Sequence, residues 1–351
     1  MLKNKKIKVT FIQRKILHYR IDFFNMLNIE YDINVIHAGN KVNGNFSQDI
    51  EEYVNIKGFL WVKKLFRKIN SSDIIVFPFD IHWLQIILIA LFRQNKKLIF
   101  WGHGFSKSAV VNKLKLFLLK KADALIVYMP KGKDKIINTD IILKDKIFIA
   151  YNSMLVSNAS PQNHDEKKNS FLFVGRLQKR KKIDELILAF NKNIDSFSKD
   201  IFVRIVGDGE EIEKLQELVK KLDLNNRVLF EGEVTDENLL KSFFHEAIAY
   251  VSPGPIGLGV IHSFSYGTPV IVSPDCKHGP EFENLKNNVN ALYYDGTVDS
   301  LSQTLINIHI NNMLQQSLSN NAYAYYTTYC SMNQMLENFI QVFKFSLGDK
   351  K

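Results

Sequence analysis

The feature that most constrains this chain is a repeated switch of hydrophobic period. Short apolar runs alternate with longer segments of helical spacing, joined by short connections. In the first half the runs are Ile7–Ile12, Ile33–His37, Asp73–Pro78, Lys97–Trp101, Ala124–Tyr128 and Ile147–Tyr151. In the second they are Ser170–Gly175, Phe202–Gly207, Val228–Gly232, Ala247–Ser252 and Pro269–Ser273. Alternating β and α segments of this kind predict an α/β fold of doubly wound parallel sheets. A length of 351 residues suits two domains, and a hydrophobic fraction of 46% suffices for ordinary cores. The segment 156–169 is polar, contains Pro161 and has no apolar period, so it reads as an interdomain linker between domains at 1–155 and 170–330. The stretch from Leu301 to Phe345 is helical in pattern, and the tail from Gly348 to Lys351 reads as disordered. No internal repeat of fixed period is found.

The basic start of the chain leads straight into the first apolar run, so no signal-peptide core of the usual length is read there. The longest apolar run, Trp83 to Phe92, is broken only by Gln85 and is far short of the roughly 20 residues that span a bilayer. It reads as a buried helix. The two cysteines, Cys276 and Cys330, have no metal-like spacing and fit a reducing compartment, so a cytoplasmic location is expected.

The net charge of +10 is unevenly spread. Residues 1–150 hold 26 Lys and Arg against 12 Asp and Glu, and the remainder 20 against 24. The excess positive charge therefore lies wholly in the first half and calls for an anionic partner. Two segments there combine cations with apolar residues. Lys57 to Ile69 places Phe59, Val62, Leu65, Phe66 and Ile69 at helical spacing, and Val111 to Lys121 is the second. Both read as helices, either packed with a solvated basic face or lying on an anionic membrane surface. Nucleic-acid binding has no recognition motif to support it.

Several strand ends carry residues suited to a phosphate. Arg176 follows the run ending at Gly175, where doubly wound sheets bind ligands, and Lys181 stands before the next helix, predicted from Asp184 to Phe190. Two fixed cations there would neutralise a leaving diphosphate, although a solvated basic turn, with Lys179, Arg180 and Lys182, is the plainer alternative. Gly207 and Gly209 permit a tight turn before another helix, with Asp208 as its expected cap. Gly254 to Gly259 forms a flexible turn into a helix from Val260 to Tyr266, on which His262 sits. Glycines there let a ligand reach backbone N–H groups.

These stretches resemble the GT4-type (glycosyl transferases group 1) glycosyltransferases, in a bacterial surface-polysaccharide subgroup. The runs FVGRLQKRKKIDELILAF, RIVGDGEEIEKL, RVLFEGEV and GLGVIHSFSYGTPVIVS follow the family's motifs in order and spacing over about residues 170–296. The resemblance implies a GT-B fold, two Rossmann-like domains facing a cleft. The first would bind the acceptor, the second a nucleotide sugar, and a terminal helix at 331–351 would cross back to the first. The implied activity is retaining transfer of a hexosyl group from a nucleotide-diphosphate sugar to a glycan or lipid-linked acceptor, as in lipopolysaccharide or capsule assembly. No metal or cofactor is implied. Arg176 and Lys181 would hold the diphosphate. Gly257, Leu258 and Gly259 would contact donor phosphate and sugar. His103, in Trp101-Gly102-His103-Gly104, would contact the donor sugar.

The chain departs from the family in places. The family's two glutamates fall on Gly254 and His262. His262 would meet the ribose, since an imidazole still hydrogen-bonds a hydroxyl. Lys182 stands where the family has glycine. Glu281 or Glu283 would supply a carboxylate instead, and His18 or Arg20, after the first strand, would meet an acceptor or donor phosphate. These departures leave two other readings open: an epimerase or hydrolase of nucleotide sugars, or a non-catalytic nucleotide-sugar-binding partner.

Overall fold

The structure is a computed structural model that describes residues 6–349. The chain divides into two compact units, one running to Leu155 and resuming at Met332, the other from Val156 to Ser331. The first carries β1 (Lys8–Ile12), β2 (Asp32–His37), β3 (Ser47–Ile50), β4 (Tyr53–Ile56), β5 (Phe59–Val62), β6 (Ile74–Pro78), β7 (Lys97–Gly102), β8 (Ala124–Val127) and β9 (Ile147–Ile149). Seven of these form one parallel sheet in the order β3-β2-β1-β6-β7-β8-β9. The second unit carries β10 (Ser170–Val174), β11 (Phe202–Val206), β12 (Val228–Gly232), β13 (Ala247–Ser252), β14 (Val270–Val272) and β15 (Ala291–Tyr293). They form a parallel sheet in the order β12-β11-β10-β13-β14-β15.

In each sheet the order runs outward in both directions from one central pair, β1 and β6 or β10 and β13. Helices therefore cover both faces, and the interior strands are apolar on both sides: β8 and β13 are buried along their whole length. Successive residues feed opposite faces. In β1, Phe11 joins a cluster with Phe23, Phe24 and Phe339, while Ile12 joins one with Val62, Trp83 and Leu118; in β7, Trp101 and Phe100 divide in the same way.

The helix Met332–Leu347 belongs to the first unit. It buries Met335, Phe339 and Phe343 there, with the Phe339 ring 4.8 Å from Phe23 and 5.0 Å from Trp101.

Several expectations are corrected. Lys57–Ile69 is not one helix. It is a β4–β5 hairpin followed by a single turn, Leu65–Lys68. Lys57 and Gly58 both take positive φ, +50° and +89°, as a two-residue hairpin loop requires, and Gly58 N–H donates to Asn55 Oδ1. The hairpin is fixed by Gln85, which is buried and exchanges two hydrogen bonds with the Val62 backbone. The helix Gln85–Phe92 is buried on one face only, with Leu91 and Phe92 exposed. Val111–Lys121 does lie within a helix, Ala109–Lys121, capped by Ser108.

The segment 156–169 is no free tether. Gln162 is buried and donates to the carbonyls of Phe244 and Ala247, and Asn158 donates to that of Glu237. Side-chain amides replace the missing apolar pattern and attach the segment to the second unit. Lys350 and Lys351, at the end of the tail read as disordered, lie outside the described residues. Among the described residues no helix is long and apolar enough to cross a membrane.

Candidate functional site

Three turns follow the carboxyl ends of the adjacent strands β11, β10 and β13 and are packed against one another. The first pair is joined through glycine. A Cβ at Gly207 would lie 2.9 Å from Gly175 C, and one at Gly209 would lie 2.8 Å from Leu177 C. Both glycines take positive φ, and Leu177 N–H donates to Asp208 O at 2.9 Å. These turns line an open pocket of about 430 Å³ bounded by Gly175, Arg176, Gly207, Asp208, Gly209 and Glu233. Arg176 is exposed at its mouth. Gly207 thus serves close backbone packing as well as lining the pocket. Asp208 does not cap the helix. Its carboxylate bonds Gly209 N–H, and the helix starts later, at Ile212, because the glycine turn runs on through Glu211.

The β10 and β13 turns are joined through Lys181 and Gly254. Gly254 N–H donates to Lys181 O at 3.1 Å, and Lys181 Nζ donates to Pro255 O at 2.5 Å. A Cβ added at Gly254 would press on Arg180 O and lie 2.7 Å from Lys181 Cα. No side chain fits there, so the carboxylate that the resemblance would put at 254 has no place in this backbone. Burial, aided by the Arg180 charge, holds the Lys181 ammonium below its usual range. Lys182 adopts the left-handed region, φ +54° and ψ +40°, which accounts for the glycine the family pattern has there. The helix it precedes spans Ile183–Lys192, slightly longer than expected.

Gly257, Leu258 and Gly259 lead into a short helix, Gly259–Ser265. Val260 N–H returns to Gly257 O and His262 N–H to Leu258 O, which leaves the three preceding amides ahead of the helical ladder. Glu281 packs beside this loop. It is buried, with Oε2 3.8 Å from the position of a Cβ on Gly257. Glu283, two residues on in the turn Pro280–Asn284, is only partly buried, so Glu281 is the carboxylate that reaches the loop.

Two supporting residues escaped the sequence reading. His278 accepts from Ile256 N–H through Nδ1 at 3.2 Å and donates from Nε2 to Ser273 O at 2.8 Å, pinning the glycine loop. That pattern needs a neutral ring, and burial lowers its pKa accordingly. Glu237, at the start of the helix Glu237–Glu246, lies 3.8 Å from His262 Nε2, an ion-pair distance, and accepts from Tyr266 Oη at 3.0 Å. The imidazole holds the Glu237 carboxyl below its usual range, against the opposing effect of burial. His262 itself is buried, 4.8 Å from the Phe244 ring.

The residues expected in the first half lie in the other unit. His103 is exposed beyond the end of β7, its ring 4.9 Å from that of Tyr128. His18 and Arg20 part company. His18 is exposed, whereas Arg20 is buried, donating to Asn152 Oδ1 at 2.6 Å. Among the described residues no group of three or more His, Cys, Asp or Glu side chains is arranged to hold a metal ion.

Residues 157–325 match the family described as Glycosyl transferases group 1. An uncharacterised glycosyltransferase of Methanocaldococcus jannaschii is 26% identical over 269 residues, covering 68% of this chain and 66% of that protein. The amylovoran biosynthesis glycosyltransferase of Erwinia amylovora is 27% identical over 247 residues, covering 65% and 64%. The aligned part falls short of two thirds of these relatives, and of a second M. jannaschii glycosyltransferase it spans 52%. A solved glycosyltransferase from Rickettsia africae superposes with a TM-score of 0.74 at 16% identity, over 99% of this chain and 100% of that one. The Anabaena protein HepE in complex with UDP gives 0.68 at 16% identity, over 97% and 99%. The chain therefore carries the GT-B fold, and its residues 157–325 match the glycosyl transferases group 1 family.

Proposed function

We propose that the protein is a retaining, metal-independent hexosyltransferase. It moves a sugar from a nucleotide-diphosphate donor to a glycan or lipid-linked acceptor in surface-polysaccharide assembly. The observation that carries this reading is the pocket beyond β10 and β11, with Arg176 at its mouth and the Lys181–Gly254 clamp on the neighbouring turn. Arg176, Lys181 and the loop amides at 257–259 are the groups that would stabilise the departing diphosphate. Glu281 and His262 are the groups that would meet hydroxyls of the donor. The Erwinia relative's role in amylovoran biosynthesis supports the polysaccharide context, and the UDP bound to the Anabaena neighbour supports a nucleotide donor.

Retention follows if the acceptor hydroxyl attacks the anomeric carbon on the face the diphosphate leaves. The new C–O bond forms as the C–O bond to phosphate breaks, and the hydroxyl proton passes to the leaving phosphate oxygen. No protein base is then required.

A peripheral position at the cytoplasmic membrane face suits the first unit. There Phe66 and Phe92 are exposed around a cavity also lined by Arg93 and Lys96.

Calorimetric titration with UDP, GDP, CDP and their sugars tests the donor site. One nucleotide should bind, and Arg176→Ala with Lys181→Ala should weaken it at least tenfold, as the loss of charged hydrogen bonds implies (roughly 1.5–3 kcal/mol each). A folded wild-type protein that binds none of them refutes the proposal.

A further inference from the structure

The carboxyl edge of the first sheet holds two buried cations, and among the described residues neither Arg20 nor Lys115 forms an ion pair. Arg20 is 7% exposed. Its guanidinium meets only the neutral Asn152 Oδ1, the Met335 sulfur at 3.6 Å and aromatic faces, chiefly Trp101 at 4.4 Å. Lys115 is 8% exposed, donates to Gly104 O at 2.6 Å and lies over the Phe79 ring. Three acids of this unit pair with other groups: Asp123 with Arg93, Asp140 with Lys120, and Asp80 with His82 and Arg14, although the Asp80 charge also acts on Lys115 from beyond ion-pair distance. Trp101 Nε1–H is buried and has no acceptor among the described residues.

The topology explains why these groups meet. Arg20 follows the β1 turn. Trp101 lies near the end of β7 and His103 and Gly104 follow it, Tyr128 follows β8, and Asn152 lies beyond β9. All lie at the carboxyl end of the parallel sheet, where doubly wound units take their ligands. A buried cation is normally paired, and stacking on an aromatic face offsets only part of its lost hydration. A planar guanidinium with donors to spare is suited to a two-oxygen anion.

We propose that Arg20, with Asn152 and Trp101, forms an oxyanion site in the first unit that takes the phosphate or carboxylate group of the acceptor. This deepens the transferase reading and rests on it for the word acceptor, but the anion site is independent of the nucleotide pocket.

The test uses the full chain and the fluorescence of Trp101, which an anion at Arg20 would perturb, together with thermal shift. The probes are geranyl phosphate, geranyl diphosphate and glucuronate, with geraniol and glucose as neutral controls. Binding of the phosphates alone identifies a lipid-phosphate acceptor, and binding of glucuronate alone an acidic sugar. Arg20→Gln should weaken the binding roughly tenfold to hundredfold, the ratio for losing hydrogen bonds to a charged group. Arg176→Ala with Lys181→Ala should leave it unchanged. Should Arg20→Gln fail to fold, Asn152→Asp remains decisive. It puts a carboxylate against Arg20 in nearly the same volume, so it should raise thermal stability and abolish anion binding. The proposal is overturned if no anion binds, if Asn152→Asp binds as wild type does, or if the Arg176/Lys181 variant loses anion and nucleotide together.

Discussion

Replacing Gly254 by alanine tests how the β10 and β13 turns are held together. The added Cβ would lie 2.7 Å from Lys181 Cα and 2.8 Å from Lys181 C, and nearer still to Arg180 O, where ordinary contact begins at about 3.4 Å. Every obstructing atom is backbone, so no side chain can turn aside. The two turns must separate by at least about 0.7 Å, the gap between those distances, which also stretches the Gly254 N–H to Lys181 O hydrogen bond. Overpacking of this kind costs about 1–3 kcal/mol, and the weakened hydrogen bond adds about 1. For a unit of this size the sum of about 2–4 kcal/mol lowers its melting transition by roughly 4–16 °C. Calorimetry is the suitable assay, because it can resolve separate transitions of the two units. Gly58→Ala is the control: nothing lies within 4 Å of its Cβ, φ is +89°, and only strain of about 1–2 kcal/mol in the first unit is expected. Nucleotide affinity should fall in Gly254→Ala and not in Gly58→Ala. A Gly254→Ala protein that melts with the wild type and binds nucleotide equally well would refute the packing argument, and with it the statement that position 254 cannot host a carboxylate.

Phe339→Ala removes a fully buried ring packed on Phe11, Phe23 and Trp101 and should destabilise the first unit by about 3–5 kcal/mol in urea titration, leaving the second unit's transition in place. Lys182→Gly relieves the left-handed strain at φ +54° while losing a partly buried ion pair to Glu185, so a gain of up to about 1 kcal/mol is expected; a loss of stability would contradict it. His37, His245, His278 and His309 all have pKa values lowered by burial. The unfolded chain then binds more protons than the folded one just below about pH 6.5, so stability is full above that pH and declines as pH falls through the lowered folded values. Urea midpoints that stay level or rise between pH 7.5 and 5.5 would show those rings to be unperturbed.

The sequence made the two sheets readable because their interior strands are apolar on both faces, so β8 and β13 stand out as unbroken runs. The hairpin did not, because Phe59, Val62, Leu65, Phe66 and Ile69 satisfy a helical spacing that the positive φ of Lys57 and Gly58 overrides. Nor did the attachment of 156–169, since its contacts are amide hydrogen bonds made by Gln162 and Asn158, which leave no hydrophobic trace. Arg176, Lys181 and the glycines could be picked out because each stands within a few residues of a strand end. Glu237 and His278 could not, as their partners His262 and Ile256 are distant in the chain. The burial of Arg20 depends on Asn152 and Met335, which come from the far ends of the same unit.

That dependence on distant residues bears on the two glutamates the resemblance expects. Position 254 is closed by backbone, and position 262 carries an imidazole with a carboxylate beside it. Glu281 lies against Gly257, on the loop that begins at Gly254, and Glu237 lies beside His262. Each enters from a different element: the turn Pro280–Asn284 for one, the start of the helix Glu237–Glu246 for the other. A carboxylate's action depends on where its charge sits and what it can accept, not on which strand or helix delivers it. On the proposed reading, Glu281 and Glu237 would supply the negative charge that the residues at 254 and 262 do not. The Glu237 carboxyl, its pKa lowered by the neighbouring His262 imidazole, stands beside that ring where the resemblance expects a single glutamate.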